Sequence, residues 1–290
     1  MSSNHPIVAV TGSSGAGTSS VTAAFERIAD AQRIDAVMIQ GDSFHRFNRA
    51  EMKTVMETAE AEGRNLSHFG PEANLFEELE RLFKQYSTNG TGQRRFYVHD
   101  AAEAARYKQP PGTFTPWEPI SEGTDLLFYD GLHGGVVTDK ANVAIYVDLL
   151  IGVVPIVNLE WIQKIHRDKE ERGYTTEEAA NMILRRMHDY VQYIMPQFSH
   201  THINFQRVPT VDTANPFAVT EIPTSVESYV VIHVKDPNKI EVDFKALVTD
   251  FDGSFLSRPT TIVVPGVMMI DALQTILGPA ISRMMLKKNN

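Results

Sequence analysis

A glycine- and serine-rich turn, Gly12, Ser13, Ser14, Gly15, Ala16, Gly17, Thr18, Ser19 and Ser20, follows the β-branched run Ile7, Val8, Val10. After it, Val21, Phe25 and Ile28 recur at helical spacing. Strand, glycine loop and helix in that order are the setting of a phosphate-binding loop. Glycine lets the backbone close on a polyphosphate, and the loop amides and first helical N–H groups point at the anion. Gly12, Gly17 and Ser19 fit G-x-x-x-x-G-K-[ST] with one departure: Thr18 stands where the phosphate-reading lysine is expected. The spacing predicts a bound polyphosphate, with Ser19 available as a ligand to Mg²⁺. The missing positive charge must come from another part of the chain.

In open α/β sheets ligands gather at the carboxyl ends of the strands. An acid closing the hydrophobic run of 125–129, Asp130, occupies the place of a Walker-B carboxylate and is the second predicted metal ligand. Asp42, after the strand of 36–39, is outside the general phosphate-loop set. A carboxylate beside the triphosphate suits a base that takes a proton from an acceptor hydroxyl; a helix cap in GDSF is the plainer reading. His45 and Arg49 are four apart, so a helix would place them on one face, suited to an anionic acceptor such as a sugar phosphate. Basic residues concentrate in Lys164, Arg167, Lys169, Arg172, Arg185 and Arg186, with Lys164, Arg167, Asp168 and Arg172 in one helical stripe. Such a segment can close as a lid and bring charge to a migrating phosphoryl group. Alternatively it is a solvated helix paired with its own glutamates. HRDKEER lacks the asparagine that a protein-kinase catalytic loop carries after its Asp, which excludes that reading.

The elements that must hold these residues are legible in outline. Strands are expected at 7–10, 36–39, 125–129 and 149–154, and later in QRVPTVDT, YVVIHV and TTIVVPG. Helices are expected over 50–61 and 71–86, from a cap at Asn158 to a stop at Gly173, from Thr175 or Thr176 to about 193, and over 268–286. RRFYVHD and the proline-rich loop after it suggest a small hairpin flap at about 93–120. Strand and helix alternate, so the fold class is α/β with a mixed, mainly parallel sheet flanked by helices. All 290 residues are expected in a single domain, with a helical lid at about 158–193.

Hydrophobic residues make up 42% of the chain, enough for a sizeable core. Thirty-six acidic against 27 basic residues give a net charge of −9, which argues against nucleic acid as a partner. With no cysteine, disulfides and thiol-based redox control are excluded. The most apolar window, 143–157, holds Asp148 and Pro155 and is too short to span a bilayer. No basic segment with an apolar core opens the chain, so no membrane partner and a cytoplasmic location are expected.

The blocks TGSSGAGTSS, GDSFHRFNRAEMK, YVHD, LLFYDGLHGGVV, GVVPIVNLEWIQKIHRDKEERGYTTE, ILRRMHDY and PQFSHTHINFQRVPTVDTANPF together resemble the bacterial phosphoribulokinases, over nearly the whole chain. The resemblance implies ATP-dependent phosphorylation of D-ribulose 5-phosphate to ribulose 1,5-bisphosphate, a Calvin-cycle step, on a fold related to nucleoside monophosphate kinases. It implies that Thr18 replaces the loop lysine in the family too, and that Asp42 matches the proposed base. His45 and Arg49 then match sugar-phosphate contacts, and Lys164, Arg167, Asp168 and Arg172 match the lid's functional residues. Asp130 stands where the family block usually has Glu. The resemblance further implies a homo-oligomer, an octamer, with NADH as effector. Of three arginines tied to that regulation only Arg258 matches, with His233 and Ala31 at the other two positions. The alternatives are a uridine kinase-like nucleoside kinase and a nucleotide-dependent regulatory switch without an acceptor.

Overall fold

The structure is a computed structural model that describes residues 4–13, 17–154, 156–219 and 221–288, without the side chains of Ser19, Glu171 and Arg172. Strands run in chain order as β1 (Ile7–Thr11), β2 (Ala36–Gln40), β3 (Gln93–Arg94), β4 (Glu118–Pro119) and β5 (Leu126–Gly131). They continue as β6 (Leu149–Val153), β7 (Ile203–Pro209), β8 (Ser228–Val234), β9 (Phe255–Arg258) and β10 (Thr261–Pro265). The helices are α1 (Thr18–Gln32), α2 (Arg49–Ala61), α3 (Phe76–Asn89), α4 (Ala101–Tyr107) and α5 (Val157–Arg172). They continue as α6 (Thr176–Asp189), α7 (Pro237–Ile240), α8 (Phe244–Asp250) and α9 (Met269–Lys288).

Among the described residues the main sheet has eight strands in the order β2-β5-β1-β6-β7-β8-β10-β9. The first five are parallel and the rest join antiparallel, so the strand-rich last third extends the same sheet. The central strands are apolar at successive positions because both of their faces are covered. Val8, Val10 and Phe128 pack on one face beneath α1 and α9, where Phe25 stacks on Phe128 at 3.9 Å. Ile7, Ala9, Leu127 and Tyr129 pack on the other, beneath α3 with Leu79, Phe83 and Tyr86.

Several boundaries differ from the sequence expectation, each for a local reason. Helix α3 begins at Phe76 rather than at residue 71. The preceding turn is held by Asn74, whose side-chain amide donates to the carbonyls of His68 (2.8 Å) and Gly70 (2.7 Å). Asn158 is not the cap of α5; that position is Ile156, and the Asn158 amide donates to the Thr213 carbonyl at 2.9 Å. Gly173, at φ +71°, ends α5 in the left-handed conformation that glycine takes without steric cost. Thr175 and Glu178 form a capping box that opens α6, and the chain leaves α6 through a π-helical turn, Tyr190–Ile194. Of RRFYVHD, β3 takes only Arg94, and Tyr97 makes an isolated bridge to Phe114. No helix among the described residues is long and apolar enough to cross a membrane.

One contact sets the sheet's carboxyl edge. Gly41, just after β2, and Gly131, at the end of β5, meet backbone to backbone. A Cβ on Gly131 would lie 2.6 Å from the Gly41 Cα and 2.6 Å from the Tyr129 hydroxyl. Gly131→Ala should therefore force β5 and the turn after β2 apart, costing about 1–3 kcal/mol of stability as overpacking does. A lower thermal-unfolding midpoint by circular dichroism is the expected result, and an unchanged one would show that the contact yields freely.

Candidate functional site

Strand β1 delivers the glycine loop. Thr11, its last residue, donates its hydroxyl to Gln197 Oε1 (2.8 Å) and the Leu132 carbonyl (3.1 Å), and the Gly12 amide donates to the Gly131 carbonyl (3.3 Å). A Cβ on Gly12 would sit 2.9 Å from the Val153 carbonyl oxygen, so the loop must start on glycine where it crosses β6. Gly17, at φ 96°, caps α1. Ser14, Gly15 and Ala16 lie outside the described residues, as do the side chains of Ser19 and Arg172.

Asp130 lies beside the start of α1. Its Oδ2 accepts the Thr22 hydroxyl at 2.7 Å, and the Thr18 hydroxyl bonds the same carboxylate. Thr18 thus ties the loop to β5 and supplies no charge. Burial raises the Asp130 pKa; the two threonine bonds oppose the shift, and the Asp42 charge adds to it. The Asp130 carboxyl therefore feels the Asp42 charge at the edge set by Gly41 and Gly131. Among the described residues no three His, Asp or Glu side chains form a ready cation cage.

Asp42 sits in the 3₁₀ turn Gly41–Phe44, its side chain 42% exposed. Its carboxylate oxygens lie 3.7 Å from His45 Nε2 and 3.8 Å from His99 Nε2. His45 and Arg49 do not share a helix face. The capping box of Asn48 and Glu51 starts α2 at Arg49 and leaves His45 in extended backbone. The two residues converge instead through the segment between β3 and β4. Arg49 donates its guanidinium to the His99 carbonyl at 3.0 Å and its amide to the Gly112 carbonyl at 2.9 Å. The His45 pKa is lowered chiefly by burial, with Asp42 pulling the other way. The His45 ring also touches Tyr97 and His68, at 6.4 Å and 5.4 Å between centroids.

Lys164 and Asp168, one turn apart on α5, form a buried ion pair, with side chains 6% and 0% exposed. Arg167 Nε lies 4.0 Å from Asp168 Oδ1. One turn before Lys164, Glu160 is 2% exposed and adjoins the Ser13 hydroxyl of the glycine loop, Tyr190 and Arg186. Burial raises its pKa, while the Ser13 hydroxyl and Arg186, at 3.7 Å, oppose the shift. The buried stripe Glu160, Lys164, Asp168 therefore runs along α5 from the glycine loop. The basic cluster divides: Arg186 faces this stripe and lies over Phe69, whereas Arg185 makes two 2.9 Å contacts with Glu60 on α2.

Sequence reasoning passed over Glu160, Arg95, Tyr97 and His99. The i, i+4, i+8 spacing with Lys164 and Asp168 signals Glu160. Arg95 donates to the carbonyls of Ser43 (2.8 Å) and His45 (2.6 Å) and lies over Phe114, pinning the β3–β4 segment to the Asp42 turn. Burial lowers its pKa to about 10. No short-range pattern announces a contact across fifty residues.

Residues 7–214 match the sequence profile of the phosphoribulokinase / uridine kinase family. A plasmid-encoded phosphoribulokinase of Cupriavidus necator is 59% identical over 286 residues, 98% of this chain and 97% of its own. That of Nitrobacter vulgaris is 56% identical over 285 residues, 98% of each chain. The solved phosphoribulokinase from Rhodobacter spheroides superposes with a TM-score of 0.91 at 49% identity, covering 99% of both chains.

Because burial raises the Asp130 pKa, its charge penalises the folded state wherever it is ionised, and the penalty fades as pH falls toward the unfolded carboxylate pKa. Asp130→Asn, which can still accept from Thr22, should raise the ligand-free melting temperature at pH 7–8. The gain should shrink toward pH 4. Melts across that range check the sign, and a neutral-pH midpoint below wild type would contradict it.

Proposed function

The chain belongs to the phosphoribulokinase / uridine kinase family, and on that premise we propose that it transfers the γ-phosphoryl group of ATP to the C1 hydroxyl of D-ribulose 5-phosphate. The observation that carries this reading is the 59% identity with a named phosphoribulokinase along 98% of the chain. The cleft agrees with it: an exposed carboxylate, Asp42, lies among imidazoles and Arg49, donors that an anionic acceptor can use.

The glycine loop, Gly12 to Ser20, holds the triphosphate with backbone amides. Ser19 and Asp130 are the residues that would hold Mg²⁺, which neutralises charge on the phosphates when bound. Asp130 fits that task because two hydroxyls already orient it. His45 and Arg49 hold the acceptor's 5-phosphate. Asp42 takes the C1 hydroxyl proton as that oxygen bonds to the γ-phosphorus; the bond from phosphorus to the β,γ-bridging oxygen breaks, and ADP leaves. Lys164, with Arg167 and Arg172, brings positive charge to the transferring group when the lid at about 158–193 closes over the cleft. Asp168 is the resting partner that Lys164 exchanges for phosphate. The segment at about 93–120 is a flap on the acceptor side. A single domain, a cytoplasmic location, a homo-oligomeric (octameric) state and an NADH effector complete the proposal.

A uridine kinase-like activity is the nearest alternative, since the family includes it. A neutral nucleoside would leave Arg49 and the imidazoles without an anionic partner. A regulatory switch would need no Asp42. An ATP-consumption assay with ribulose 5-phosphate, uridine or no acceptor separates the three, and turnover that does not require ribulose 5-phosphate would overturn the proposal.

The residue roles make separate predictions, with each substrate varied while the other is saturating. Asp42→Asn should lower kcat by roughly 10²–10⁴-fold with binding retained, the usual worth of a general base. Arg49→Ala should raise the sugar-phosphate KM by roughly 10- to 150-fold with kcat little changed, the worth of a charge-assisted hydrogen bond. Lys164→Met should lower kcat by roughly 10²–10³-fold while the KM for ATP moves little. Near-normal turnover in Asp42→Asn or Lys164→Met, or an unchanged KM in Arg49→Ala, would remove that residue from its role.

A further inference from the structure

In the loop between α2 and α3, the stretch 66–70 exposes His68 between immediate neighbours that are all buried. Leu66 and Ser67 are each 5% exposed, Phe69 is 1% exposed, and Gly70 is buried. The backbone around His68 is held from several sides. Ser67 donates its hydroxyl to Asp189 Oδ2 at 2.7 Å and accepts the Phe69 amide at 3.1 Å. The Asn74 amide donates to the His68 and Gly70 carbonyls, and His133 Nε2 lies 3.0 Å from the Phe69 carbonyl. Burial lowers the His133 pKa to about 3, so that ring is neutral and donates to the carbonyl. This set of buried polar contacts fixes the position of an imidazole that packing alone does not require. A solvated surface histidine needs no such support, because loops that merely connect elements tolerate mobility.

The fixed imidazole faces the acceptor cleft. Its ring centroid is 5.4 Å from that of His45, with the planes at 66°, and His45 Nε2 is itself 3.7 Å from Asp42. Two imidazoles side by side gain little from one another in water, but an anion beside them can accept an N–H from each. We propose that His68 is a substrate-binding residue that donates an imidazole N–H to the phosphate of the sugar-phosphate acceptor, beside His45. The proposal rests on the phosphoribulokinase reading above, since a neutral acceptor would offer no such group. It also gives Ser67 and Asn74 a task, as positioning residues acting through the loop that carries His68.

The test compares His68→Ala and His68→Gln with wild type on the full chain, measuring kcat and the KM values for ribulose 5-phosphate and ATP. Melting temperatures and direct titration with ribulose 5-phosphate in the absence of ATP accompany the kinetics. His68→Ala should raise the sugar-phosphate KM and weaken its direct binding by roughly tenfold or more, as loss of a hydrogen bond to a charged group does. The KM for ATP, kcat and the melting temperature should stay close to wild type. His68→Gln, whose amide can reach the position of Nε2, should recover part of the loss. Unchanged sugar-phosphate affinity in both variants would overturn the proposal while leaving the wild-type activity, and so the functional reading, intact. An equal rise in both KM values would also overturn it, because a loop that merely supports the fold would act so. Absence of turnover on ribulose 5-phosphate in the wild type would sink the functional reading and this inference with it.

Discussion

Two backbones meet at Gly41 and Gly131 with no room for a single carbon between them, and the arrangement of the site depends on that approach. Parallel strands neighbouring in a sheet run about 4.8 Å apart, and side chains at their ends normally keep the following turns separate. Glycine on both chains removes that spacer, and the Tyr129 hydroxyl fills the notch they leave. As a result Asp42 and Asp130, each one residue from a glycine of the pair, are close enough for one to disturb the ionisation of the other. In the proposed reaction a base for the acceptor and a carboxylate for the metal act on opposite ends of one phosphoryl transfer. The glycine pair places them on neighbouring turns without spending a loop on either.

A second constraint ties this edge to the α5–α6 helices. Gln197 is 1% exposed and uses its whole amide: Oε1 accepts from Thr11 (2.8 Å) and the Gly135 amide (3.0 Å), while Nε2 donates to the carbonyls of Leu132 (2.9 Å) and Tyr193 (2.7 Å). A buried amide so satisfied acts as a rivet, because losing any partner would strand a desolvated polar group. It joins the end of β1, the loop after β5 and the π-helical turn that follows α6. The helices that carry Lys164 are thereby anchored at one end to the strand that carries the glycine loop. Glu160 makes the corresponding link at the start of α5.

Much of this architecture is legible in the sequence. The strands around the centre of the parallel half are short apolar runs, and a loop, an acid and a turn at their ends point to one edge. The stop at Gly173 and the capping box at Thr175 follow from local chemistry alone, which is why they can be read without tertiary information. Long-range contacts account for the misplaced boundaries. Asn158 looks like a cap, yet its amide is used by a loop more than fifty residues away. The stretch from residue 71 looks like the first turn of a helix, yet Asn74 folds it around His68. Strand β9, all of it exposed, has no hydrophobic alternation to announce it and exists because β10 offers an edge. At the edge of the sheet, residue type and spacing single out Asp42, Asp130 and the turn of α5 that carries Lys164 and Asp168, whereas Glu160 on the same stripe carries no such signal without its partners. His45 and Arg49 were paired for the wrong reason: they converge through His99 on another segment, which periodicity cannot reveal.

The missing lysine of the glycine loop can be understood in the same physical terms. A lysine at position 18 would face Asp130 at close range, where the carboxylate now accepts hydroxyls from Thr18 and Thr22. A fixed ammonium there would compete with a divalent cation for the same oxygens. Placing the charge on α5 instead, paired with Asp168 and away from water, separates the two cations in space. Burying an ion pair is costly unless each charge keeps its partner, so Lys164 cannot simply move into an empty cleft. An incoming polyphosphate changes that balance by offering a stronger anionic partner than one carboxylate. In the proposed mechanism the charge is thus held back until the nucleotide arrives, and exchange of Asp168 for phosphate makes closure of the helices conditional on substrate rather than on helix flexibility alone.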